Sequence, residues 1–320
     1  MTGLIQHTID TPYLVGPVHC YSGEIEGELV LFDTGPPTPE TSRYLRENID
    51  LGRLKHVFIT HCHIDHYGQT AWLEEHSDAV VYLPYRDCLK IDRHDDRIAG
   101  MYTLLKGFGF AESYLHEFRK IFESGVLFPP LPTKYRVAEK DIPGHLGIQI
   151  IPCPGHSQSD LVYAGEGWAV TGDTLLKGIF QSPLLDLDLE AGARFNNYEA
   201  YCATLLGLAE LETKHILPGH RKSVSSVLAT LQFYISKFLV RAEQLQPFQN
   251  EEKLPDLIDR LLGGRMKDVF HIYLKSSEII FMKDFLARPE LLYASLEKIG
   301  LMDSLGKLFD RTLSTNGSMS

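Results

Sequence analysis

His61, His63, Asp65 and His66 fall within six positions, directly after the apolar run at 57–59. Neutral imidazole and ionised carboxylate are groups through which divalent transition metals are bound. A packed core has little use for so many polar heads in one place, because each costs free energy when buried without a partner. A lone histidine is more often a surface residue or a satisfied core residue. Four ligand-type residues spaced H-x-H-x-D-H instead point to a metal-binding loop at the end of a strand. The spacing of two between His61 and His63 suits an extended backbone, in which alternate side chains share a side. The same alternation turns Cys62 away, as a small buried residue rather than a thiolate ligand.

One loop rarely completes a metal site. Three later segments repeat the pattern of an apolar run, a glycine-containing turn and a ligand-type residue. They end at His156, Asp173 and His220. In α/β folds, sites form beyond the carboxyl ends of strands, so these three residues are expected on the same rim as the first cluster. The rule also rejects look-alikes. His56, His145 and His215 precede or open their strands. They belong at the opposite rim, four to six extended residues or roughly 13–20 Å away.

With these motifs in order, the chain resembles the metallo-β-lactamase-fold hydrolase superfamily, with its glyoxalase II-like and β-lactamase-like branches. The match comprises T-H-C-H-I-D-H at 60–66, P-G-H at 154–156, T-G-D at 171–173 and P-G-H at 218–220, preceded by L-F-D-T-G at 31–35. The resemblance implies an α/β fold, a four-layer αβ/βα sandwich. It also implies two divalent metal ions per chain, zinc first, with iron or manganese accommodated by the same donors. His61, His63 and His156 match the ligands of the first metal. Asp65, His66 and His220 match those of the second, and Asp173 matches the bridging carboxylate. Asp33 matches a buried position beside the ligands, with a strand-end turn as its plainer role. Arg221 departs from the glycine common in relatives. It is a candidate substrate contact, with solvent as the alternative. Tyr67 is another, with simple packing as the alternative.

The implied chemistry is attack by a metal-bound hydroxide, oriented by the catalytic candidate Asp65, on an acyl thioester, ester or lactone. Two other readings stand beside it: a phosphodiesterase or ribonuclease of the same fold, and a regulatory or binding protein that retains the metal site.

The elements that must position these residues alternate between strand and helix. Strands are expected over 13–15, 18–22, 28–32, 56–59 and 79–83, with helices over 40–48 and from about His66. Apolar residues recur at helical spacing over about 90–135, interrupted by Gly107 and Gly109 and ended by the proline-rich stretch 129–132. That segment reads as an inserted helical pair, either packing the core or covering the site over a hydrophobic acyl group. Further helices are expected over 226–245, 254–262, 281–286, 289–299 and 304–313, and 291–301 also fits the last helix of a winged-helix-like module. The organisation is therefore a catalytic domain over 1–224, a helical region over 225–313 and a disordered tail over 314–320.

The formal net charge is −11, which disfavours nucleic acid as a partner, since binding it requires clustered Lys and Arg. A small-molecule substrate is the expected partner, and a homo-oligomer is compatible with the sequence. No apolar stretch approaches the ~20 residues of a membrane span. The first residues lack a secretory pattern. The five cysteines include no C-x-x-C pair and suggest a reducing cytoplasm.

Overall fold

The computed structural model describes residues 3–13, 15–124, 131–180, 182–264 and 268–314. Six strands form the first sheet in sequence order: β1 (Ile5–Ile9), β2 (Val18–Ile25), β3 (Glu28–Phe32), β4 (Leu54–Phe58), β5 (Val80–Leu83) and β6 (Tyr135–Val137). β1, β2 and β3 pair antiparallel, whereas β3 to β6 pair parallel. The second sheet contains β7 (Gln149–Pro152), β8 (Leu161–Ala164), β9 (Trp168–Gly172) and β12 (His215–Pro218), in the order β12-β9-β8-β7. A small ribbon, β10 (Leu187–Asp188) with β11 (Ala193–Arg194), lies outside both sheets.

The helices are α1 (Pro39–Asn48), α2 (Ile64–Tyr67), α3 (Thr70–His76), α4 (Tyr85–Asp92), α5 (His94–Gly107), α6 (Glu112–Glu123), α7 (Ala138–Asp141) and α8 (Asn197–Ala209). After β12 come α9 (Val227–Leu245), α10 (Leu254–Leu262), α11 (Val269–Ala287), α12 (Pro289–Lys298) and α13 (Met302–Leu313).

The layering follows from strand alternation. Successive side chains of a strand face opposite sides, and these strands are apolar on both. Val30, Phe32, Phe58 and Tyr82 of the first sheet meet Tyr163, Trp168, Val170 and Leu217 of the second in one buried cluster between the sheets. Leu31, Val57 and Val81 point the other way, against Leu45 of α1 and Leu73 of α3. Val162, Ala169 and Ile216 likewise face outward, against Leu205 of α8, Leu231 and Phe238 of α9 and Phe285 of α11. Two sheets face to face with helices outside each make the expected four layers. The helices after β12 share this third cluster with the second sheet. α9 begins at an N-cap serine, Ser226, whose hydroxyl accepts from the N–H of Ala229.

Several expectations change. Tyr13 and Val15 lie in a turn, and Leu14 is outside the described residues. The strand that precedes β2 is instead β1, whose buried side carries His7 and Ile9. The helix expected from about His66 is divided into α2, which starts at Ile64, and α3. The helical pair expected in the inserted segment is α5 and α6, and α4 precedes it. Ile98, Met101, Leu105, Phe118 and Phe122 are buried with Tyr273 of α11, so these apolar faces pack the core. Residues 129 and 130 of the proline-rich stretch are outside the described residues, as is 315–320 of the expected tail. The helix expected over 281–286 belongs to the 19-residue α11. No strand follows β12 among the described residues, and 291–301 carries most of α12.

Candidate metal centre

The parallel strands bring their carboxyl ends to one rim. β4 leads into the segment that holds His61 and His63, and α2 then carries Asp65 and His66. His156 follows β7, Asp173 follows β9 and His220 follows β12. An antiparallel bridge from Val18 to His220 joins the two sheets there.

These residues form three overlapping groups: His61, His63 and His156; His61, His66 and Asp173; Asp65, His66 and His220. Within each group the potential ligand atoms lie within 4.8 Å of one another. Because His61 and His66 are each shared by two groups, the three form one continuous cluster of five imidazoles and two carboxylates.

The ring nitrogens reveal which atoms face inward. His156 Nδ1 lies 2.6 Å from the Ser182 carbonyl oxygen, and His220 Nδ1 lies 2.7 Å from that of Pro17. A carbonyl only accepts, so each Nδ1 carries a proton and Nε2 is the nitrogen that faces the cluster. His66 Nδ1 donates to Asp33 Oδ2 at 2.8 Å, with the same result. His61 Nδ1 rests 3.1 Å from Thr60 Oγ1. Buried Nε2 atoms of His61, His66 and His220 and Oδ1 of Asp173 have no hydrogen-bond partner. Orphaned buried polar atoms cost free energy. Here they converge, at 3.4 Å from His66 Nε2 to Asp173 Oδ1 and 3.6 Å from His220 Nε2 to the same oxygen. His63 Nδ1 and His156 Nε2 approach to 3.2 Å. Two lone pairs at that distance repel unless a proton or a cation lies between them. The donor set therefore fits divalent metal ions.

Charge divides the cluster. Burial first, then neighbouring histidines, hold His61 well below the ordinary imidazole value and pull His63 down to about 3. Burial opposes charge on His66 as well, but Asp33, Asp173 and Asp65 outweigh it and hold that ring well above its ordinary value. His220 is raised in the same way, by Asp173 and Asp65 against burial. Asp173 is held well below the carboxylate range: His220 and His66 outweigh the effect of burial. Without metal, the neighbouring carboxylates thus favour the protonated forms of His66 and His220.

Local backbone chemistry makes room. A Cβ on Gly219 would lie 2.7 Å from both Asp173 Oδ1 and His66 Cε1. Gly172 adopts φ +48°, where its Cβ would meet Thr60 Oγ1 at 2.6 Å. Asp33, at φ +55°, ends β3 in a turn. It also accepts from Thr60 N at 2.8 Å and Thr60 Oγ1 at 2.9 Å. It serves as turn and support at once.

A sequence model of the metallo-beta-lactamase superfamily matches residues 13–220. The chain belongs to the metallo-beta-lactamase superfamily. A curated relative, the probable metallo-hydrolase YqjP of Bacillus subtilis (strain 168), is 26% identical over 265 residues, covering 77% of this chain and 80% of that protein. A crystal structure of a metallo-beta-lactamase family protein, TTHA1429 from Thermus thermophilus, superposes with a TM-score of 0.67 at 21% identity, over 91% of this chain and 95% of the other. A beta-lactamase domain protein from Burkholderia ambifaria gives 0.69 at 19% identity, over 90% and 88%. At these identities the structures establish the fold of the superfamily for this chain.

The remaining candidates separate within that fold. Tyr67 is 1% exposed and belongs to the buried cluster that includes Leu31 and Val57. Arg221 is exposed at φ +69°, and its carbonyl accepts from His19 Nε2 at 2.7 Å. Cys62 is half-buried and belongs to none of the three groups. Burial pushes its thiol well up, which keeps it from being a thiolate. His56 and His145 both bond Glu28 Oε2, at 2.9 Å each, at the start of β3 and away from the site. His215 is exposed at the start of β12. The sequence reading missed Tyr13. Burial raises its phenol pKa, and the charge of Asp65 adds to that rise. It also missed Asp160, which supports the turn after His156 through the N–H of Ser157 at 2.7 Å. Asp160 lies in the polar yet buried run 157–160, a signal in itself. Among the described residues no helix is long and apolar enough to cross a membrane.

Proposed function

We propose that this chain is a dinuclear metal-dependent hydrolase acting on an acyl thioester, ester or lactone. Membership of the superfamily and the curated metallo-hydrolase relative support metal-dependent hydrolysis at the coarser level. The observation that carries the finer reading is the convergence of unpartnered ligand atoms in three overlapping groups. His61, His63 and His156 would hold one ion, Asp65, His66 and His220 the other, and Asp173 would bridge them. Two divalent ions there would supply Lewis acidity that lowers the pKa of water towards about 7 and polarises a carbonyl.

The protein's own groups do the positioning. Ser182, Pro17 and Asp33 fix three imidazoles as Nδ1–H tautomers. Asp65 Oδ2, 3.2 Å from His220 Nε2, faces the cluster, where a carboxylate can orient an attacking water and accept its proton. Burial of His61, Asp65, His66 and His220 strengthens these electrostatic effects. An acyl substrate is favoured over a nucleic acid by the net charge of −11.

The test is hydrolysis by purified protein loaded with Zn²⁺, Fe²⁺ or Mn²⁺, over a panel of acyl thioesters, esters, lactones and phosphodiesters. Turnover of an acyl substrate, abolished in Asp173→Ala, is expected. Phosphodiester cleavage with an inert acyl panel would replace this reading with the nuclease one. Biological function surviving His63→Ala with Asp173→Ala would replace it with a binding role.

A further inference from the structure

The ligand loops are gripped from outside the sheets by a buried charge network that the proposed chemistry does not use. Asp87 and Lys90 stand on α4, Arg97 stands on α5, and Asp186 precedes β10. Asp87, only 3% exposed, accepts the backbone N–H of Cys62 at 2.7 Å through Oδ2. Its Oδ1 accepts from Ser159 Oγ at 2.7 Å and Lys90 Nζ at 2.9 Å. Lys90 Nζ also lies 3.4 Å from Asp186 Oδ2. Arg97 completes the chain with two bonds to Asp186, of 2.8 and 3.0 Å. Charges of alternating sign, each hydrogen-bonded, offset the desolvation that burial imposes.

What this network touches is selective. Cys62 separates His61 from His63. Ser159 follows His156 by three residues. Asp186 closes the segment in which the Ser182 carbonyl accepts from His156 Nδ1 and the Leu184 N–H donates to the His156 carbonyl at 2.7 Å. All three segments therefore carry or orient His61, His63 and His156. The other half has different anchors. His66 leans on Asp33 and His220 on the Pro17 carbonyl.

We infer that Asp87 is a positioning residue for the His61–His63–His156 half of the centre, and that α4 and α5 govern metal occupancy of that half alone. The inference rests on reading the cluster as a two-ion centre. A role confined to core packing would instead lower the stability of the whole fold and weaken both halves together.

The experiment uses the full chain, stripped by a chelator and titrated with Zn²⁺ against a chromophoric competitor. Co²⁺ absorption spectra and thermal unfolding of the metal-free protein accompany each titration. Wild type should take up two ions. Asp87→Asn should bind one ion with wild-type affinity and the other about 10- to 100-fold more weakly. In a His63→Ala background, which removes the first half, Asp87→Asn should add no further loss. In a His220→Ala background it should still weaken the remaining ion. Ser159→Ala, a milder change that keeps the buried charges, should weaken the same ion roughly 3- to 10-fold, about one hydrogen bond's worth. It carries the test if Asp87→Asn does not fold. Equal weakening of both ions, or two ions bound unchanged, overturns this inference and leaves the two-ion centre intact. A wild-type chain that binds fewer than two ions overturns the two-ion reading and this inference with it.

Discussion

Asp33 Oδ2 accepts the Nδ1 proton of His66 at 2.8 Å, while its other oxygen accepts the N–H of Thr60 at 2.8 Å. One carboxylate thus ties the end of β3 to both ends of the loop that holds His61 and His63. Asp33→Ala should lower metal affinity about 10- to 100-fold, because the His66 ring loses its fixed tautomer. It should also destabilise the fold by about 1–3 kcal/mol, since a buried N–H is left unpaired. Chelator competition and urea denaturation measure the two effects. Unaltered metal binding would assign Asp33 to the turn alone.

Gly219→Ala should empty the centre while leaving the fold near intact. The added methyl would lie 2.7 Å from Asp173 Oδ1 and His66 Cε1, inside the ligand cluster rather than the apolar core. Metal content after gel filtration should fall sharply, with little change in the far-ultraviolet circular dichroism spectrum. Normal metal content would refute the contact.

Metal uptake should release protons. His66 and His220 are held above the ordinary imidazole value in the metal-free chain, while a metal binds only the neutral ring. Lowering the pH therefore favours the protonated rings and weakens metal affinity, by up to about tenfold per pH unit for each proton displaced. His61 and His63, held below that value, should contribute no proton near neutrality. Isothermal titration in buffers of different ionisation enthalpy counts the protons. A buffer-independent enthalpy would contradict the assignment.

A chain ended after residue 224 should not fold alone. Its second sheet and α8 would lose the cover provided by α9 and α11, exposing Val162, Ala169, Leu205 and Ile216. Large bare apolar patches drive aggregation. Expression of the truncated chain should yield insoluble protein. A soluble truncated chain that unfolds cooperatively would show that the residues up to 224 are an independent unit.

Phe238→Ala should cost about 3–5 kcal/mol. Its ring is 1% exposed and packs edge-on to Phe281 and Phe285, with centroids 5.1 Å away in each case. Equilibrium denaturation measures the loss. A cost under about 1 kcal/mol would mean that the site collapses around the deletion.

The cluster's residues were legible in sequence because each follows an apolar run that reads as a strand, and strand direction alone sorted them from His56, His145 and His215. Their supports were not legible. Pro17 and Ser182 act through main-chain oxygens, so their residue types carry no signal. Asp87 reaches Cys62 across 25 residues of chain, from α4, which lies before the segment of helical spacing at about 90–135. β1 was missed because a polar residue occupies its buried side, where His7 Nε2 lies 2.7 Å from Ser22 Oγ. α11 was read too short because Ser276, Ser277 and Glu278 are buried among its apolar residues, which blurs a one-sided stripe.

Two of the three acceptors that lock the imidazoles belong to the polypeptide backbone rather than to side chains. Positions 17 and 182 can therefore drift freely in residue type, provided that the carbonyls keep their aim. Conversely, two descendants could share every histidine and aspartate letter for letter, yet diverge in metal retention through a single insertion that displaces either loop. For this chain, heredity of the metal centre is written partly in loop length, a quantity that residue-by-residue comparison does not weigh.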